Sequence, residues 1–323
     1  MSGYEVIALG NVHLDRKLVV GDFPSEERAV IPEKAKRVVG GSCGNFIISC
    51  SRLGIKTKSI AAIGKDRNGN YIKNILSEEG IDTSDLLMKE NQETIEVICL
   101  NKKTRGKGYL GPINQDIAIL REKDINKNMC LNDVSTNLLY VSGYSLSKMP
   151  LSWERKAVIK AINEIDYGKL MFDPGPRAHQ IPENTLKNVL NLAEIITLNE
   201  REAKSIIKKK KIDYKALAKE IHKKGPGPKE IFIKLGKKGA YLYSKRKNKK
   251  ITANDVEVRD ENATGDVFNS GIAYGQINNL EKTKQLKLAN KLAEKKAQTQ
   301  GSGQKLPNKK EYQKTTKKIK QRT

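Results

Sequence analysis

Aromatic residues make up only 5% of the chain, with a single tryptophan, so the core has to be built from Val, Ile, Leu and Ala. No run of about 18 apolar residues occurs, which excludes a transmembrane helix. The start, Met1 to Gly10, lacks the basic residues and long apolar stretch of a signal peptide, so a cytoplasmic location is expected. Cysteine and histidine are scarce: Cys43, Cys50, Cys99 and Cys130 form no C-x-x-C pair, and His13, His179 and His222 are scattered. That pattern argues against a zinc site and for buried, reduced thiols. No G-x-x-x-x-G-K-[ST] motif is present, so a P-loop nucleotide site is excluded. Acidic residues are outnumbered, 37 against 61 Lys and Arg, giving a net charge of +24. Such a charge draws nucleic acid and anionic surfaces. The basic residues are nevertheless spread, with short runs at Lys208 to Lys211, Lys245 to Lys250 and Lys309 to Arg322. No aromatic residues interleave them as on a base-stacking surface, so nucleic-acid binding is expected to be non-specific at most.

What is present suffices for a core: 37% hydrophobic residues over 323 positions. Tyr4 to Gly10 reads as a buried strand ending at glycine. Phe46 to Leu53 reads as a buried helix stopped by Gly54. Strand and helix patterns then alternate: strands at 59–63, 138–141, 170–172, 194–198 and 231–235, and helices at 68–79, from Trp153 to Ile165, from Glu200, at 265–277 and at 283–298. This alternation predicts a mainly parallel sheet with helices on both faces. Two strand-rich segments, 12–38 and 93–117, lack helices and are expected to pair as a small second sheet. Within the first, Arg28 to Ile31 alternates between Pro24 and Pro32 and reads as an edge strand or hairpin. The domain is placed at 1–307. The polar tail 308–323 carries a net +6 and is expected to be a frayed helix or disordered.

The strongest chemical signal is Asp260-Glu-Asn-Ala-Thr-Gly-Asp266-Val-Phe-Asn-Ser-Gly271, a polar segment running into a helix. Free N–H groups at a helix start can face an anion. A carboxylate there is stabilised as an anion, which fits either a cap or a base. A base beside an anion hole is what phosphoryl transfer to a hydroxyl needs.

This stretch resembles the C-terminal signature D-T-x-G-A-G-D-x-F-x-x-G of the ribokinase-like, or phosphofructokinase-B (PfkB), carbohydrate kinase family, matched at Asp260, Gly265, Asp266, Phe268 and Gly271. Gly40, Gly41 and Asn45 match the N-terminal G-G-x-x-x-N. Leu53-Gly54, then Gly64, Asp66 and Gly69, then Gly80-Ile81-Asp82, follow in the family's order. Asp15 after the opening strand, Asn199 and Glu202 as N-x-x-E, Lys234-Leu-Gly236-Lys-Lys-Gly239, and Ala289-Asn290 complete a resemblance over about residues 4 to 307.

The resemblance implies a three-layer α/β/α Rossmann-like domain with a mainly parallel central sheet and a β-sheet lid made of 12–38 and 93–117. It implies a small-molecule kinase that moves a phosphoryl group from a nucleotide, ATP or ADP, to a sugar or nucleoside hydroxyl. Asp266 would be the base, with the backbone of Ala263, Thr264 and Gly265 as anion hole. Asp15, Gly40, Gly41 and Asn45 would hold the acceptor. Asn199, Lys234, Gly236, Gly239 and Asn290 would form the nucleotide site. Glu202 would hold Mg2+ through water. A homodimer through the lid is compatible with the family. Three departures from the pattern occur at four positions: Ala263-Thr264 replaces Gly-Ala, Glu261 replaces Thr, and Lys234 stands where Thr or Ser is frequent. Asp173-Pro-Gly-Pro-Arg177 resembles a strand end whose Asp173 and Arg177 face the cleft or close a turn by a salt bridge. Cys43 is read as a packing residue. Arg16, Lys17, Lys103, Arg105 and Lys107 in the lid segments leave open an acceptor that already carries a phosphate, such as ribose 1-phosphate or a fructose phosphate. A basic nucleic-acid-binding protein on the same fold is the reading from another class, set against the intact group Asn45, Asn199, Glu202 and Asp266.

Overall fold

The computed structural model describes residues 3–103, 106–112, 116–125, 129, 131–148, 154–209, 211–225, 227–245 and 247–321. Arg105, Cys130 and Trp153, named above, lie outside the described residues. In chain order the first elements are β1 (Tyr4–Leu9), β2 (His13–Val20), β3 (Lys34–Gly40), α1 (Ser42–Arg52), β4 (Thr57–Gly64), α2 (Arg67–Glu78), β5 (Leu86–Lys89), β6 (Glu96–Lys102) and β7 (Lys107–Leu110). Then come β8 (Ser135–Ser142), α3 (Glu154–Glu164), β9 (Asp166–Asp173), α4 (Glu183–Leu192), β10 (Ile195–Asn199), α5 (Glu200–Ile207) and α6 (Tyr214–Lys224). The chain finishes with β11 (Glu230–Lys234), β12 (Ala240–Ser244), β13 (Lys249–Ile251), α7 (Thr264–Ile277), α8 (Lys282–Ala297) and α9 (Lys309–Gln321).

Among the described residues, nine strands form one sheet in the order β13-β12-β11-β10-β9-β8-β1-β4-β5. All neighbours are parallel except at the β11-β12-β13 edge. Strand alternation explains the two cores. Val6 and Ala8 of β1, with Leu138 and Tyr140 of β8, join one cluster with α1, α7 and α8. Ile7, Leu9, Leu139 and Val141 join the other, with α3 to α6. Strands covered on both faces need apolar residues at both parities, as these have. The Phe46 and Tyr140 rings stack at 3.8 Å between α1 and the sheet.

Segments 12–38 and 93–117 do build a separate sheet, in the order β3-β2-β6-β7. The stretch Arg28 to Ile31 is not one of its strands; the loop there holds only a bridge between Ser25 and Arg28, and Ile31 is exposed. Proline on either side of that stretch prevents a continuous ladder.

The expectation of a frayed or disordered tail is corrected. Helix α9 packs on α8, and Tyr312 is fully buried. Its hydroxyl accepts from Ser49 at 3.0 Å, and Ser49 shares a 2.6 Å hydrogen bond with Ser270. Arg52 donates to the carbonyls of Gln304, Leu306 and Pro307 at 3.1, 2.6 and 3.2 Å, fixing the approach to the helix. One buried ring anchors a face that composition alone marks as solvated. No helix among the described residues is long and apolar enough to cross a membrane.

Replacing Tyr312 by Ala should therefore cost about 3–5 kcal/mol of stability, the range for a buried aromatic side chain. Urea unfolding followed by circular dichroism checks this; a loss under about 1 kcal/mol, the size of a surface effect, would show that α9 does not share the core.

Candidate active site

Ligands of parallel α/β sheets bind beyond the carboxyl ends of the strands. Here the last residues of three adjacent strands are Asp173 (β9), Asn199 (β10) and Lys234 (β11), with Asn199 and Lys234 opposite one another in register. They line a cleft of about 830 Å³ whose other wall is the start of α7. The nucleotide-side residues expected from the sequence all line this one cleft, as do Glu202 and Ala263 to Asp266. Ser42, Tyr144 and Asp173 line it too.

Asp266 is the third residue of α7. Its Oδ2 accepts from Asn45 Nδ2 at 2.9 Å, and Asn45 Oδ1 accepts from Gly303 N–H at 2.8 Å. Asn45 thus fixes the carboxylate from α1. Burial pushes the Asp266 carboxyl up to about 7, and Asp173 adds to this, against Asn45, Lys234 and Ser42. A carboxyl poised near neutrality suits a general base.

The helix start is shaped as an anion site. Ala263 caps α7 at φ 61° and ψ 6°. This left-handed backbone costs an alanine about 1–2 kcal/mol and explains why the family pattern has glycine there. The N–H groups of Ala263, Gly265 and Asp266 have no acceptor among the described residues. The Thr264 N–H instead reaches the Glu261 carbonyl at 3.3 Å. Asp260 ties this loop to the rest: it accepts from Asn262 N–H at 3.0 Å, from Gly301 N–H at 2.9 Å and from Lys107 of the lid at 2.7 Å. Tyr109 of the lid donates to Asn262 at 2.9 Å, so β7 lies over the loop.

On the acceptor side, Asp15 Oδ1 meets His13 Nε2 at 2.9 Å. Burial opposes the charge of Asp15, but His13 outweighs it and the carboxyl stays below its ordinary value. A Cβ on Gly40 would stand 2.6 Å from the Asp15 carboxyl, and Gly41 turns the chain at φ 84° into α1. The paired glycines let the strand, the lid and the helix meet beside Asn45.

Asn199 and Glu202 form a reciprocal capping box: Glu202 N–H donates to Asn199 Oδ1 at 2.9 Å, and Asn199 N–H donates to Glu202 Oε2 at 2.8 Å. Asn199 Nδ2 holds the other Glu202 oxygen at 2.7 Å. Burial raises Glu202, with Lys234 pulling it down and Asp173 pushing it up. Among the described residues no group of three or more His, Cys, Asp or Glu side chains could hold a metal. Glu202 and Asp173 face the cleft with their oxygens already engaged, which suits a magnesium ion held by phosphates and by carboxylates through water.

Two features escaped the sequence. Asp173 forms its ion pair with Lys234, at 2.8 Å, and it also accepts from Asn269 and, at 3.4 Å, from Thr197. Lys234 is held above the ordinary lysine value: burial opposes its charge, and Asp173, Glu202 and Asp266 outweigh it. Arg177 sits over the Tyr144 ring at 5.9 Å. Cys43 is buried as expected, and burial lifts its thiol well above the usual value. Asn290 lines the cleft but donates to Glu294 at 2.7 Å, which also anchors Asn254.

Comparison with known proteins gives one family. The pfkB family carbohydrate kinase profile matches residues 5–309. A 5-dehydro-2-deoxygluconokinase of Halalkalibacterium halodurans is 29% identical over 255 residues, 75% of this chain and 72% of the relative. The Arabidopsis thaliana ribokinase, solved with ribose and ATP, superposes with a TM-score of 0.77 at 18% identity, covering 98% of this chain and 99% of that one. A putative ribokinase II from E. coli, solved with ATP and Mg2+, has a TM-score of 0.77 at 18% identity, with coverage of 98% and 99%. The two solved structures attest the fold.

A base must be ionised to act, so kcat/KM for the acceptor should rise with pH through about 7 and fall about tenfold per unit below it. Asp173→Asn removes a negative neighbour that raises Asp266, so the inflection should move to lower pH. A flat profile between pH 5 and 8, or an upward move in the variant, would contradict this electrostatic picture.

Proposed function

The chain belongs to the pfkB family of carbohydrate kinases and is a phosphotransferase acting on a sugar hydroxyl; we propose that Asp266 is the base that takes the proton of that hydroxyl. What supports the reading is the junction at the start of α7: an Asn45-held carboxylate beside backbone N–H groups that have no acceptor among the described residues. The acceptor oxygen loses its proton to Asp266 and forms a bond to the terminal phosphorus of the nucleotide. The bond from that phosphorus to the leaving diphosphate oxygen breaks. The Ala263 and Gly265 N–H groups stabilise charge on the transferred group.

The strand-end groups take the nucleotide side. Gly236, Gly239 and Asn290, which line the cleft, take the nucleotide, while Asn199 and Glu202 border its phosphates. ATP is the donor supported by the family, with ADP the alternative. Magnesium, when bound, neutralises phosphate charge, and Glu202 is the residue placed to hold its water shell. Asp15, Gly40, Gly41 and Asn45 take the acceptor, a sugar or nucleoside, and the lid excludes water, the competing acceptor. Three large apolar side chains exposed on the lid, Ile31, Tyr109 and Leu110, support self-association through it.

The test is Asp266→Asn. With the fold intact by circular dichroism, kcat should drop at least about a hundredfold, the contribution of a positioned base. Nucleotide affinity, measured by calorimetry, should stay close to wild type. Near-normal turnover in a folded variant would remove Asp266 from this role.

A further inference from the structure

Lys296, in the last turn of α8, is fully buried and takes no part in the transfer proposed for Asp266. Its Nζ donates to the carbonyl of Asp260 at 3.0 Å and to the carbonyl of Thr299 at 2.9 Å. A helix C-terminus favours a cation, yet burying one still carries a desolvation cost. Burial accordingly lowers Lys296 to about 8, with Asp260 opposing the shift and Lys17 and Lys107 adding to it. Well-packed apolar residues are often as stable as charged ones at buried positions, so packing does not account for this charge.

The two carbonyls belong to the two segments that frame the site. Asp260 opens the anion loop, which lines the cleft with Ala263, Thr264 and Gly265. Thr299 opens the connection 299–303 between α8 and α9. There Ser302 reaches Asp15 at 3.5 Å, and Gly303 N–H donates at 2.8 Å to Asn45, the residue that holds Asp266. Gly301 N–H joins the same two segments by donating to the Asp260 carboxylate at 2.9 Å. The Ala297 carbonyl of α8 accepts from the N–H groups of Arg259 and Asp260 at 2.8 and 3.0 Å. Lys296 thus occupies the joint where the anion loop, the connection behind Asn45 and the end of α8 meet.

We propose that Lys296 is a positioning residue whose buried positive charge clamps the anion loop to the connection 299–303 and so fixes the anion hole relative to Asp266. The proposal rests on the kinase reading for what the loop binds; the clamp itself is a property of the protein without substrate. An ammonium group donates more strongly than a neutral amine, so loss of the proton opens the clamp. The charged groups acting on Lys296 are Asp260, Lys17 and Lys107. Burial raises the Asp260 carboxyl, but Lys107, the Asn262 and Gly301 N–H groups and Lys296 outweigh it and hold it below its ordinary value. Asp260 therefore stays ionised while Lys296 titrates. The clamp is closed below about pH 8 and opens as pH rises through that value. Turnover is then limited from below by Asp266, near 7, and from above by Lys296.

Hydrogen–deuterium exchange by mass spectrometry tests the clamp on the protein without substrate, from about pH 6.5 to about 9.5, with rates corrected for the intrinsic pH dependence of amide exchange. Wild type is compared with Lys296→Met, which keeps the volume, and Lys296→Gln, which keeps a donor without the charge. In wild type, protection over 259–264 and 299–303 should fall about tenfold or more through about pH 8, the size of a charged hydrogen bond, while α1 and α3 stay unchanged. Both variants should show the low protection at every pH. ADP release from ATP with D-ribose, D-fructose or adenosine reads the consequence. There kcat should drop about tenfold or more in both variants, with KM for ATP moving less than about threefold. Wild-type protection that is flat with pH, or loop protection in a variant equal to that of wild type, would overturn the proposal. Loosening spread evenly over α1 and α3, the mark of a merely structural lysine, would overturn it too, as would a loosened loop with unchanged kcat. If neither variant folds, the wild-type exchange profile decides alone. No ADP from any acceptor strikes the kinase reading itself, and exchange still decides on Lys296.

Discussion

Lys234 places an ammonium group 2.8 Å from Asp173 and within electrostatic reach of Glu202 and Asp266. Three carboxylates in one half-buried cleft repel one another, and burial raises Asp266 and Glu202 toward their neutral forms. One cation among them lowers that cost. Asp173 accepts from Asn269 and Thr197, and Lys234 joins Asn45 in opposing the burial that raises Asp266. The sheet makes the arrangement unavoidable, because three adjacent parallel strands end in Asp173, Asn199 and Lys234 and α7 starts opposite them. A buried ion pair of this kind adds little net stability, since desolvation offsets attraction. Its effect is on the charge state of the neighbours.

Packing behind the site serves the same end. Asn45 on α1 and Asp266 on α7 can hold one another only if the two helices are fixed in depth. The chain of hydroxyls Ser270, Ser49 and Tyr312 does this, tying α7, α1 and α9 together. Close approach of α7 to α8 needs Gly271, where a Cβ would lie 2.6 Å from the Ala289 Cα. Asp260 then connects the anion loop to the lid through Lys107. The lid, the loop and the base are therefore one mechanical unit.

Much of this was legible in the sequence, and the rest was hidden for definite reasons. The α/β alternation, the two-segment lid and the helix after Gly265 follow from periodicity and glycine placement. Helices α4 and α6, the antiparallel strands β12 and β13 and the edge strand β5 are not legible in the sequence, because lysine-rich or short segments blur the contrast between buried and exposed faces. The tail was misjudged because a single tyrosine, Tyr312, among many lysines outweighs the composition. Lys234 was visible as an odd residue in a motif, yet its partner lies 61 positions away and no spacing rule joins them.

The central claim is that burial and Asp173 raise the Asp266 carboxyl to about 7, with Asn45 and Lys234 working against them. Carbon-13 labelling of aspartate carboxyls, with Asp266→Asn to assign the resonance, reads that state directly by NMR titration. The account predicts that Asp266 titrates near 7 in the wild type and at a higher pH in Lys234→Met, where the balancing cation is gone. An ordinary aspartate value in the wild type, or no upward move in the variant, would contradict it.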